Sequence, residues 1–265
     1  MKDLIITGIG VHALEMAEIV ERINNVRPTW NLLGYIRLDG ENAGADELNG
    51  YPVLGGPADF GNFTKLSGLA ELGSPANIVN PLELAGHSEQ SCPAELGILT
   101  ELSGPAELGS PAELGSPAAA ARYSGAFFVP CYKSHIASIP RERWATIVDP
   151  GAFVSRTAKI GAGCVIYPNC FIGLNARLGD FVFCLSGAVI NHDDIIGDNT
   201  TITSGVAIAG EVTIGNGCYI GQQSTIRQKL VIGDNCVIGM GAVVVKDVPP
   251  NSVMAGNPAR KLRDN

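Results

Sequence analysis

The sequence predicts an α/β plus all-β chain, in which an N-terminal Rossmann-like βαβ unit is followed by a parallel β-helix. Three observations carry this expectation. From Val148 to Val244 an apolar residue recurs at every sixth position without an insertion: Val148, Val154, Ile160, Ile166, Ile172, Leu178, Cys184, Ile190, Ile196, Ile202, Ile208, Ile214, Ile220, Ile226, Ile232, Ile238, Val244. The position four after each is often small, as at Ala152, Cys164, Cys170, Ala176, Ala188, Cys218, Ser224 and Ala242. The first forty residues read strand, glycine turn, helix, strand. A period of six fits neither a helix nor an alternating strand and requires a coil that turns corners.

The chain divides by composition into residues 1–65, the first part of a Rossmann-like domain; 66–121, an insertion; 122–147, the end of the N-terminal domain; 148–248, the β-helix; and 249–265, a tail. In the first part, Asp3 to Thr7 is a short apolar strand, Gly8-Ile9-Gly10 a turn, residues 13–23 a helix and residues 31–36 a second strand. The turn reads G-x-G-x-x-L, an incomplete dinucleotide fingerprint, and a plain strand-to-helix turn without a ligand is an equal reading of it. Residues 50–55 are an edge element and turn, and residues 126–130 and 136–144 read as a strand and a helix that close the domain.

Residues 66–121 again keep a period of six, and they hold seven Glu with no Asp, Lys or Arg. An accessory β-helix and a low-complexity linker compete here. Coils of 18 residues would stack Glu71, Glu89 and Glu107 about one strand spacing apart, Leu replaces the β-branched residues, and Pro removes ladder donors. The linker reading is preferred.

In 148–244, three hexads make one coil, so seventeen give between five and six coils. One large and one small inward residue per hexad fill a narrow prism, and the Gly that often follows the large residue is expected to supply corner backbone angles. Pro249 and Pro250 are expected to cap the open end, with the basic stretch Arg260-Lys261 where a phosphorylated ligand could meet it.

The formal charge is -8, and outside the insertion 18 basic residues face 19 acidic ones, which argues against nucleic acid as a partner. Five of seven Cys fall on inward positions and read as small hydrophobes in a reducing compartment. No C-x-x-C pair or second His near His192 suggests a metal. With no run of eighteen apolar residues and an N-terminus that reads straight into a strand, neither a membrane span nor a signal peptide is expected, and the expected location is the cytoplasm.

A β-helix is mostly scaffold, so chemistry is sought where polar residues break the pattern. The clearest break is Asn191-His192-Asp193-Asp194, in which Ile190 keeps the inward register and Asp194 takes a position that is elsewhere small or apolar. An imidazole, whose unperturbed pKa lies near neutrality, can take a proton from an attacking amine or hydroxyl, and an adjacent carboxylate fixes its tautomer. His192 with Asp193 meets that need; a solvated corner is the bland alternative. His12, His87 and His135 have less support.

The hexads, the Asn-His-Asp break, the terminal Gly256-Asn257-Pro258-Ala259-Arg260-Lys261 and the turn Gly8 to Ala13 together resemble the sialic acid O-acetyltransferase NeuD-like family. That family includes bacterial acetyltransferases of the PglD kind, which act on nucleotide-linked amino sugars. The resemblance covers about residues 1–60 and 126–262. It implies a left-handed β-helix, a homotrimer with sites between neighbouring prisms, and acetyl-CoA as donor in bacterial surface-glycan biosynthesis. It gives His192 the role of general base and Asp193 that of its acidic support. It places acetyl-CoA contacts at Thr201, Gly210, Gln228 and Arg260, and nucleotide-sugar contacts at Gly8, Gly10, Val11, His12, Arg37, Asp39 and Leu185. Departures from the family are Val11 for the usual Gly before the turn His, Arg37-Leu38 where acidic residues are common, and Leu185 where some relatives have a polar contact. The expected reaction is acetylation of the amine of a nucleotide-linked amino sugar. O-acetylation of a sugar hydroxyl and a catalytically lapsed nucleotide-sugar-binding trimer are the alternatives.

Overall fold

The computed structural model describes residues 1–38, 46–56, 125–131 and 139–265. The insertion 66–121, Asp39, His87 and His135 lie outside the described residues, as do the first three residues of the helix expected over 136–144; the other six correct that expectation, since they hold only a short 3-10 turn, Arg141–Arg143, after Pro140.

The first sheet forms around β1 (Lys2–Thr7), whose Leu4, Ile5 and Ile6 are fully buried. Helix α1 (Val11–Val26) follows at once, longer than the sequence suggests, and presents Ala13, Met16, Ala17, Ile19 and Val20 to the core at helical spacing. Strands β2 (Trp30–Ile36), β3 (Glu47–Leu48), β4 (Tyr51–Gly55) and β5 (Phe127–Pro130) complete the order β3-β4-β2-β1-β5. All pairings are parallel except the β3–β4 hairpin. This is a Rossmann-like arrangement, with the Gly8–Gly10 turn and Arg37 at the carboxyl ends of the central strands.

Seventeen two-residue strands then run from Ile147–Val148 to Val243–Val244 and wind a left-handed parallel β-helix. Each pairs in parallel with the strand 18 residues away, so each face collects every third hexad. Face 1 carries Val148, Ile166, Cys184, Ile202, Ile220 and Ile238; face 2 carries Val154, Ile172, Ile190, Ile208, Ile226 and Val244; face 3 carries Ile160, Leu178, Ile196, Ile214 and Ile232. The five hexad cysteines are buried and free. Burial pushes the Cys164 thiol up to about 12 and that of Cys170 up to about 11, which keeps both as neutral apolar filler.

The corner geometry corrects one expectation. The left-handed backbone sits three residues after the apolar position, at Asn169, Asn175, Phe181, Gly187, Asp193, Asn199, Gly205 and onward, rather than at the glycine directly after it. Those earlier glycines are required by close approach instead. A Cβ on Gly197 would come within 2.6 Å of the Gly215 carbonyl carbon, one coil on, and Gly161, Gly179 and Gly215 meet the next coil in the same way. At this corner the side chains of Asp180, Asp198, Asn216 and Asp234 each accept the N–H of the residue 18 positions earlier. Arg141 closes the column by donating both its Nε and an Nη to Asp180, at 2.6 Å each, which holds that carboxyl below its usual range.

The tail corrects a second expectation. The prolines end face 3, where Val248 bridges Ile232, but face 1 continues through Ser252–Ala255, parallel to Val237–Ile238, and through Arg260–Asp264, antiparallel to that. The last strand is exposed throughout, and its charged residues Arg260, Lys261, Arg263 and Asp264 guard a free edge.

Candidate active site

His192 occupies the corner between faces 2 and 3, its side chain 57% exposed. Its Nδ1 lies 3.0 Å from Asp193 Oδ2, while Asp193 Oδ1 accepts a hydrogen bond from Asn175 Nδ2 at 3.0 Å. Asn175 stands one coil earlier, in the same left-handed corner position as Asp193. Its amide, followed by the imidazole, holds the Asp193 carboxyl below the usual carboxylate range. With Nδ1 committed to Asp193, Nε2 is the nitrogen left to exchange a proton; among the described residues it has no hydrogen-bond partner.

The ring is seated by Gly210, one coil on. A Cβ there would overlap the imidazole, lying 2.6 Å from Cε1 and closer still to Nε2. Gly210 therefore serves first to admit the His192 ring.

Asp194 explains why this turn differs from its neighbours. Along face 2 the residue after each inward apolar one donates its N–H to the carbonyl one coil on: Ser155 to Ile172, Gly173 to Ile190, Ala209 to Ile226, Arg227 to Val244. Asn191 departs from this ladder. Its Nδ2 donates to the Ile208 carbonyl at 2.6 Å, and its backbone N–H turns to Asp194 Oδ2 at 2.8 Å. Asp194 Oδ1 accepts the Val212 N–H, also at 2.8 Å. A carboxylate and an amide thus replace one ladder step, and Asp194 is fully buried inside the prism where Ala176 and Val212 stand in the adjacent coils. Burial raises its pKa to about 7, although both N–H donors pull the other way.

Of the remaining expected donor contacts, Gly210 and Gln228 lie on the His192 corner at intervals of 18 residues, and Lys246 extends the same column. Arg227 and Lys229 flank Gln228. Thr201 does not join them. It sits on face 1, across the prism, 1% exposed and with its hydroxyl unpaired. Arg260 is exposed at the start of the last strand.

The N-terminal residues gather elsewhere, at the corner between faces 1 and 2. Gly8, at φ 109°, turns the chain into α1, while Gly10 has open space where a side chain would stand and Val11 is exposed. His12 Nδ1 lies 2.9 Å from Glu15 Oε2, and the Tyr167 hydroxyl donates to that carboxylate at 3.0 Å. Burial, then Glu15, keeps the Tyr167 phenol protonated. One coil below Tyr167 stands Leu185, and one coil above is Asp149, paired with Arg22 of α1. Arg37 follows β2. Within one chain, His12, Tyr167 and Leu185 thus occupy a different corner of the prism from His192.

Sequence reasoning missed Asn175, which reaches Asp193 only because the coils stack, and the role of Asp194. A census of residues 18 apart would have found the first; the second shows only as a carboxylate in an apolar column.

Residues 195–228 and 211–246 match the bacterial transferase hexapeptide (six repeats) model, so this part of the prism is built from that repeat. The described residues have the fold of acetyltransferases of known structure. The acetyltransferase domain of PglB from Neisseria gonorrhoeae FA1090 is 20% identical over 99% of this chain and 100% of its own, with a TM-score of 0.63. It has also been solved with acetyl coenzyme A. PerB from Caulobacter crescentus, solved with CoA and GDP-perosamine, is 17% identical over 99% of this chain and 98% of its own, with a TM-score of 0.66. WeeI from Acinetobacter baumannii AYE is 21% identical over 99% of this chain and all of its own, with a TM-score of 0.60. No curated protein matches the chain.

Proposed function

We propose that this protein is an acyltransferase that moves an acetyl group from acetyl-CoA to the amine of a nucleotide-linked amino sugar, with His192 as general base. The observation that carries the reading is the Asn175–Asp193–His192 chain, which fixes the ring and leaves Nε2 unpaired at an exposed corner. The amine nitrogen attacks the thioester carbonyl and its proton passes to Nε2. The tetrahedral adduct collapses with cleavage of the C–S bond, and the imidazolium returns the proton to the departing thiolate. No covalent enzyme intermediate is needed.

The C-terminal side of His192 suits the donor. Arg227, Lys229 and Lys246 near Gln228 offer positive charge to the CoA phosphates, and PerB and PglB were solved with CoA and acetyl-CoA. The acceptor class is carried over from PerB, whose structure holds GDP-perosamine. The separation of His12, Tyr167 and Leu185 from His192 supports a homotrimer in which the N-terminal turn of one copy faces the His192 corner of the next. A lapsed enzyme is disfavoured because both hydrogen bonds that orient His192 are intact.

The test is thiol release from acetyl-CoA with a panel of nucleotide-linked amino sugars, with product analysis to separate an alkali-stable amide from a labile ester. Absence of turnover with every acceptor would overturn the proposal, and an ester product would move it to O-acetylation.

A further inference from the structure

On face 3, immediately before the His192 coil, Lys159 and Arg177 stand directly opposite each other in register. Both are exposed and outward-pointing, and neither side chain makes an ion pair or hydrogen bond among the described residues. Like charges opposed across a ladder, about one strand spacing of 4.8 Å apart, destabilise a sheet unless a counter-charge lies between them. The other outward residues of this face, Ile195, Thr213 and Val231, are uncharged, so the pair is a local feature.

The two cations line a groove of about 370 Å³ with Thr157, Asn175, Asp193 and Ile195. One wall is a hydrogen-bonded column, in which the Asn175 N–H donates to Thr157 Oγ1 at 2.8 Å and its amide reaches Asp193, the partner of His192. The groove therefore runs from the cation pair to Asp193, the hydrogen-bond partner of the proposed base. It lies on the N-terminal side of His192, opposite Gln228 and Lys246.

We propose that Lys159 and Arg177 bind the diphosphate of the acceptor, which places its sugar against His192. A guanidinium donates a planar pair of hydrogen bonds to phosphate oxygens, and an ammonium adds a mobile point charge. The volume is near the lower end of the roughly 300–1,000 Å³ typical of ligand sites, which fits a sugar and diphosphate, with the base extending beyond. The inference rests on the acetyl-transfer reading only for the identity of the sugar; anion binding is independent of it.

The test uses the Lys159→Ala/Arg177→Ala double variant of the full chain, with UDP, GDP and dTDP as calorimetric probes and acetyl transfer as the second readout. For whichever nucleoside diphosphate the wild type binds, the variant is expected to bind at least tenfold more weakly. The acceptor KM should rise comparably, while kcat and the KM for acetyl-CoA stay within twofold. Unchanged nucleotide affinity would overturn the proposal, as would a rise confined to the acetyl-CoA KM, which would assign the pair to the donor. Loss of oligomeric mass in the variant would also overturn it, in favour of a carboxylate from a second copy. A wild type that binds nucleoside diphosphate through this pair yet transfers no acetyl group would refute the enzymatic reading and leave this site standing.

Discussion

At the scale of single residues, the site is three side chains, Asn175, Asp193 and His192, joined by two hydrogen bonds and seated on Gly210. Removing the imidazole in His192→Ala should lower turnover about a thousandfold, within the range of a positioned general base, and full activity in that variant would sink the assignment. Gly210→Ala should lower kcat by about tenfold or more without unfolding the chain, because the new methyl takes the space of the His192 ring and small misplacements of a catalytic group are costly. Asp194 makes a different prediction. Its folded pKa, about 7, lies above the unfolded value, so the native state holds more protons than the unfolded state between about pH 4 and 7. The stability this contributes is fully present below pH 4 and is lost as the pH rises through 7. In Asp194→Asn, melting temperature followed across that window should show a weaker decline than in the wild type; equal slopes would mean that Asp194 does not titrate there. Asp193 was legible in the sequence as a carboxylate beside a histidine. Its left-handed φ of 60° shows that the residue also fills an ordinary corner position, and only the Asn175 and His192 hydrogen bonds mark it as more.

At the scale of elements, the repeat was readable because the prism interior tolerates so little. A column of seventeen apolar residues at fixed spacing has one geometric solution, and the structure follows it without slippage. The corner column was readable in principle as Gly, Asn and Asp, but Phe181, Glu211, Gln223 and Lys229 adopt the same positive φ and dilute the signal. The ends were not legible, since the pairing of Ser252–Ala255 and Arg260–Asp264 with face 1 depends on how the chain returns after Pro250. Nor was the docking of α1, which rests on the contact of Arg22 with Asp149 and of Glu15 with Tyr167, more than 120 residues apart in sequence. Asp149 is 1% exposed, and removing its cation strands a buried carboxylate. Arg22→Ala should therefore cost about 1–3 kcal/mol in chemical denaturation, more than an exposed ion pair would. A cost below a few tenths would show that Gly151, whose N–H also reaches Asp149, suffices.

At the scale of the whole molecule, four of the exposed large apolar residues, Phe153, Phe171, Leu174 and Ile195, gather around face 2 and the His192 corner. Phe153 and Phe171 stack at 5.0 Å on the outside of face 2, and Leu174 and Ile195 border the corner. An exposed patch of this kind is normally covered, and the proposed trimer would cover it. Sedimentation should give three times the 27.6 kDa chain mass, and Phe171→Glu should reduce it. A monomer at micromolar concentration would refute the assembly.

The placement of His12, Tyr167 and Leu185 at one corner and His192 at another has a genetic consequence in such a trimer. If each working centre is assembled from two copies, then a chain damaged only at His192 and a chain damaged only at the Gly8–His12 turn are complementary lesions. Mixed and reassembled, two dead proteins should yield a partly live one, since some neighbouring pairs unite the intact corner of each; two chains carrying the same lesion should never do so. The unit on which selection acts would then be the seam between copies, and a single defective allele would spoil sites that its healthy neighbour helps to build.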